Sequence, residues 1–153
     1  MKKDIVVLGL GNPLMTDEGV GSCLIEDFQN DPEQFGDIEF IDAGTGGMSL
    51  LYLIADRKKI VIIDCAYMQT SPGTIRRFTP DDVKSVKKLA HHSLHEVDIL
   101  KVLELAKELG QCPEEIVIFG IEPESVEVDQ KLSETVSARI PDYIKAISSE
   151  LVS

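Results

Sequence analysis

At 153 residues, with 43% apolar and 27% charged side chains, the chain is long enough to bury one core without disulfides or metal staples. Its net charge of −12 argues against nucleic acid, whose phosphates would be repelled, and favours a cationic or metal-bearing partner. No apolar run approaches the roughly 20 residues of a membrane helix, and Met1-Lys2-Lys3 leads straight into a short strand without a signal-peptide pattern, so a cytoplasmic protein is expected.

Ile5-Val6-Val7-Leu8 is short, β-branched and bounded by glycine, the pattern of a buried strand. Gly9 and Gly11 let the chain leave it through a loop, and Pro13 forbids an immediate helix. Thr16 is placed to cap the helix that follows, with Asp17 and Glu18 in its first turn, where exposed amides favour negative charge. Gly9-Leu10-Gly11 begins like a dinucleotide fingerprint, with Asp42 as a ribose acid. The third glycine is absent, and two acids would stand where a pyrophosphate needs amides.

Val20 to Asn30 has the apolar spacing of a helix packed on one side, and Asp37 to Asp42 alternates like a second strand. The glycine-rich loop Ala43 to Gly47 leads into a short helix, Met48 to Ala55, whose all-round hydrophobicity predicts that it is well covered. Ile60 to Cys65 reads as the central strand, buried on both faces and ending in Asp64. Gly73 to Phe78 alternates charged and apolar residues, as an antiparallel edge strand would.

Thr79-Pro80-Asp81-Asp82 opens a short helical turn. Ser93 and Glu96 form a capping box that starts a helix at Leu94 and puts His95 in its first turn. Ile99, Val102, Leu103, Ala106 and Leu109 are its apolar stripe, and Gly110 and Pro113 end it. Ile116 to Ile121 is another buried strand, closed by the rigid acidic turn Glu122-Pro123-Glu124. Leu132 to Leu151 is a closing amphipathic helix interrupted at Pro141. Cys23, Cys65 and Cys112 are scattered and odd in number, so they are expected as buried small hydrophobes rather than a disulfide or zinc framework.

Alternating strands and helices predict an α/β fold: a single three-layer domain over residues 1–153, with a mostly parallel twisted sheet of about five strands, helices on both faces and one antiparallel edge. Such a sheet lines up its strands' carboxyl ends, so Glu18, Asp42, Asp64, Glu122 and the histidine segment should converge there. A helix N-terminus keeps an imidazole neutral, and one neutral imidazole with two carboxylates suits divalent nickel, zinc or iron.

Gly9 to Gly21, Asp42-Ala43-Gly44-Thr45, Ile62 to Cys65, Ser93 to Val97 and Gly120 to Glu124 resemble the hydrogenase maturation endopeptidases of [NiFe] hydrogenases, in order and over nearly the whole chain. The resemblance implies an α/β domain that removes the carboxyl-terminal extension of the hydrogenase large-subunit precursor once nickel is inserted. It also implies that Glu18, Asp64 and His95 contact the nickel. His92 competes for the ligand role, but His95 keeps the Ser-x-His register with the helix start.

Metal presented by the substrate would then position the scissile carbonyl, and a bound water or a carboxylate such as Asp17 or Asp42 would act as nucleophile or base. With part of the coordination shell coming from the precursor, no permanently bound cofactor is expected. Two alternatives remain at this point: a nickel-binding chaperone that docks on the precursor without cleaving it, and a dinucleotide-binding oxidoreductase. A thiol protease built on Cys65 with His95 as base is weaker, because Asp64 and Glu18 would oppose thiolate formation.

Overall fold

The β-branched runs form a five-stranded sheet, seen in a computed structural model that describes residues 2–31, 33–82 and 96–152. The strands are β1 (Ile5–Gly9), β2 (Ile38–Asp42), β3 (Lys59–Cys65), β4 (Ile75–Phe78) and β5 (Glu115–Ile121), in the order β2-β1-β3-β5-β4. All neighbours are parallel except β4, which pairs antiparallel with β5 at the edge, as its half-polar sequence predicts. The helices are α1 (Val20–Gln29), α2 (Ser49–Ile54), α3 (Glu96–Glu108), α4 (Glu134–Ala138) and α5 (Ile140–Leu151).

Because successive strand residues point to opposite faces, each central strand feeds two cores. Val7, Val61, Ile63, Val117 and Phe119 pack beneath Leu24, Ile25 and Phe28 of α1 and Tyr143 and Ile147 of α5. Val6, Leu8, Ile60, Ile62 and Ile118 pack beneath Leu50 and Ile54 of α2 and Ile99, Val102 and Leu103 of α3. This is the three-layer arrangement read from the sequence.

Local details depart from the sequence reading. The closing helix breaks at Arg139, and Pro141 sits in the first turn of α5, where its missing N–H costs nothing. Leu109 is exposed rather than in the α3 stripe, because the helix ends at Glu108 and Gly110 turns the chain at φ 68°. Helix α2 is covered on one side only: Leu50 and Ile54 are buried, whereas Met48 and Tyr52 are exposed, with the Lys2 ammonium 4.3 Å from the Tyr52 ring centroid. Cys65 is buried, but Cys23 and Cys112 are only half-buried. The Ser93–Glu96 capping box and the helix start at Leu94 rest on residues outside those described.

Candidate active site

The carboxyl ends of β1, β2, β3 and β5 lie side by side, so the loops that follow them share one edge. The loop after β1 passes Gly11, whose φ of 132° belongs to glycine, and a Cβ there would stand 1.9 Å from the Glu18 carbonyl oxygen and 3.4 Å from its Cγ. Only a glycine lets the Glu18 backbone and side chain lie this close to the strand end. Gly21 allows the same closeness one turn later, since its Cβ would meet the Leu10 carbonyl oxygen at 2.7 Å.

Thr16 does not cap α1. It opens a 3-10 turn (Thr16–Gly19) at φ 38°, and α1 continues from that turn with no side-chain cap. The Glu18 N–H that a cap would satisfy donates to the Met15 carbonyl (3.0 Å), while a distant loop accepts from Thr16 N–H at the Asp129 carbonyl (2.7 Å) and from Asp17 N–H at the Ser125 carbonyl (3.2 Å). The Thr16 hydroxyl donates to the Ser125 carbonyl (2.6 Å) and accepts from Glu127 N–H (2.9 Å). The loop following β5 is thereby laced onto the loop following β1.

Asp17 completes the lacing. Its Oδ2 accepts from Glu124 N–H (2.9 Å), Ser125 N–H (3.0 Å) and the Ser133 hydroxyl (2.8 Å), and its Oδ1 from Ser133 N–H (2.7 Å). Four accepted hydrogen bonds occupy about all the lone-pair sites a carboxylate has. The geometry therefore gives this buried acid a holding role. The sequence reading overlooked Ser133, which also caps α4 by accepting from Val136 N–H; a serine just before Glu134 was the available signal.

Asp64 is fully buried at the end of β3, and its Oδ1 accepts from Cys65 N–H (2.9 Å). Glu122 braces the loop after β3: its Oε1 accepts from Met68 N–H (2.6 Å), Thr70 N–H (3.2 Å) and the Thr70 hydroxyl (3.0 Å). Burial, followed by the charges of Asp64, Glu18, Asp17 and Glu122, pushes the Cys65 thiol far up. The four acids belong to the loops after β1 and β5 and to the end of β3, all at the carboxyl edge. They oppose ionisation of the thiol, which disfavours a Cys65 nucleophile.

Asp42 stands apart, exposed at the end of β2 on the far side of β1, and its Oδ1 accepts from Gly44 N–H (3.1 Å). His95 and its competitor His92 lie outside the described residues. Among the described residues no three His, Cys, Asp or Glu side chains are grouped to hold a metal ion; Glu18 and Asp64 are the two described members of the expected ligand set. Both offer carboxylate oxygens, which are hard donors; the borderline character expected of the ligand set depends on an imidazole.

A family model described as hydrogenase maturation protease matches residues 23–150. The chain is 31% identical over 150 residues to the hydrogenase 2 maturation protease of Escherichia coli K12, covering 96% of this chain and 90% of that protein. It is 30% identical to the coenzyme F420 hydrogenase subunit delta of Methanothermobacter thermautotrophicus, with 97% and 94% covered. The solved hydrogenase maturating endopeptidase of E. coli superposes with a TM-score of 0.83 at 30% identity, over 96% of this chain and 91% of that one.

Proposed function

Because this chain belongs to the hydrogenase maturation protease family, we propose that it is an endopeptidase that removes the carboxyl-terminal extension of a [NiFe] hydrogenase large-subunit precursor after nickel insertion. The observation that carries the reading is that Glu18, in the turn after β1, and Asp64, at the end of the neighbouring strand β3, are both buried at the carboxyl edge. Nickel enters as part of the substrate, held by the precursor and contacted by Glu18, Asp64 and His95. Recognition of the metal then tests that loading has occurred before the bond is cut, and the free enzyme binds nickel weakly.

Hydrolysis adds water across the scissile amide: the water oxygen bonds to the carbonyl carbon, the carbon–nitrogen bond breaks, and a proton passes to the departing amine. Asp17 serves this step by fixing the Glu18 peptide, because its own carboxylate is fully engaged. Asp42 is the more accessible acid, but it stands across β1 from Asp64.

Incubating the purified protein with nickel-loaded and nickel-free precursor tests the reading, since only the loaded chain should shorten. Glu18→Gln, Asp64→Asn and His95→Ala should each abolish processing with circular dichroism unchanged. Full activity in any of them removes that residue from the ligand set. A protein that binds the loaded precursor without ever shortening it is a chaperone.

A further inference from the structure

Among the described residues, four of the seven exposed large apolar side chains stand at one edge of the sheet. Val128 (87% exposed), Met48 (63%), Leu14 (52%) and Tyr67 (40%) stand on the four loops at the carboxyl edge. Leu14 and Val128 are held side by side without being covered: Asp129 N–H donates to the Leu14 carbonyl (2.9 Å), and Met15 and Asp129 form a parallel bridge. Tyr67 stands within the field of Glu18 and Glu122; its phenol is raised by burial first and then by Cys65 and these acids. Two apolar side chains locked in water beside buried carboxylates are a cost that folding alone does not explain.

We propose that the Leu14–Val128 shoulder docks a stretch of the precursor chain that carries both apolar and cationic side chains. This rests on the processing function above, because the shoulder is formed by the same two loops that carry Glu18 and hold Asp17. The charge of the partner follows from the surrounding loops. Residues 10–19, 43–48, 66–74 and 122–133 supply acids such as Glu124, Glu127 and Asp129, with Lys131 as their one cation. A cationic segment is steered onto such an edge, and the apolar shoulder then holds it after water is expelled.

The test compares the wild type with the double variant Leu14→Ser/Val128→Ser, using nickel-loaded large-subunit precursor in both a processing assay and a separate binding assay. Val152→Ser, exposed at the other end of the chain, is the control. The double variant should raise KM about tenfold with kcat within about twofold, and wild-type binding should weaken several-fold between about 50 and 500 mM salt. Normal KM in the double variant, an equal rise in the control, or salt-independent binding overturns the docking surface and leaves the protease reading standing. Wild-type protein that binds the precursor without cutting it, with binding weakened in the double variant, supports the surface and overturns the protease reading instead.

Discussion

The two edges of the sheet handle charge in opposite ways. At the amino edge cations meet acids: the Arg57 guanidinium lies 2.7 Å from Glu39, and Glu150 takes Lys59 at 2.8 Å on one oxygen and Arg77 at 2.5 Å on the other. At the carboxyl edge the described hydrogen bonds to Asp17, Glu122 and Asp64 Oδ1 come from uncharged donors, backbone N–H groups and the hydroxyls of Thr70 and Ser133. Ion pairs at one end neutralise charge and fasten termini to the sheet. Amide cradles at the other fix carboxylates in position while leaving their negative potential to act on something else. One edge serves cohesion, and the other holds the acids on which the proposed function depends.

The contrast is most exposed to failure at Asp17. Asp17→Asn puts an amide N–H2 against donors that now find an acceptor, and should destabilise by about 3 kcal/mol while lowering processing of loaded precursor at least about tenfold, through displacement of Glu18. Urea unfolding and a gel-based processing assay read the two effects separately. Retained activity would mean that the lacing serves stability alone.

Arg57→Ala is the counterpart at the amino edge. It removes a guanidinium that also bonds the Leu53 and Lys3 carbonyls, and should likewise destabilise by about 3 kcal/mol, yet leave turnover per folded molecule unchanged. A loss of turnover in the folded variant would dissolve the division of labour between the edges.

Acid should unfasten the amino edge. Glu150 is held below its usual 4.5, first by the Arg77 hydrogen bond and then by Lys59, and Glu39 is held below the same value, first by Arg57. A carboxyl depressed in the folded state stabilises above its unfolded value and loses that contribution as pH falls through the folded one. Thermal unfolding should therefore be flat for these groups above about pH 5.5 and decline below about pH 4.5. Glu150→Gln should make the decline shallower, and an unaltered profile would remove this pair from the acid response.

Cys65→Ala should matter least. The thiol is buried and its ionisation is opposed by burial and by the neighbouring Asp64, so processing should stay within about twofold and stability should fall by about 1 kcal/mol. Lost activity, or rapid alkylation of Cys65 at neutral pH, would restore the thiol as a participant.

Much of the site was legible because strand ends announce themselves. Asp64 follows an unbroken β-branched run, and Glu18 follows a glycine pair that must bend away from another, so both could be assigned to the carboxyl edge before any coordinates. The division of labour among the acids was not legible. Asp17 and Glu18 are adjacent and chemically alike, and Asp42 and Asp64 both end strands, yet Asp17 and Glu122 brace loops while Asp42 stands exposed on the far flank. The threonine expected to cap a helix spends its hydroxyl on residues 125 and 127 instead.

Hydrophobic periodicity by itself determined the strands, the two-sided core and which edge would collect the acids, because burial of apolar faces depends on local pattern and on the handedness of the crossovers. The tertiary structure alone decided what each acid does there. A carboxylate's role is set by the donors that reach it, and for Asp17 those donors come from residues 124–133, more than half the chain away, where nothing local in sequence could point to them.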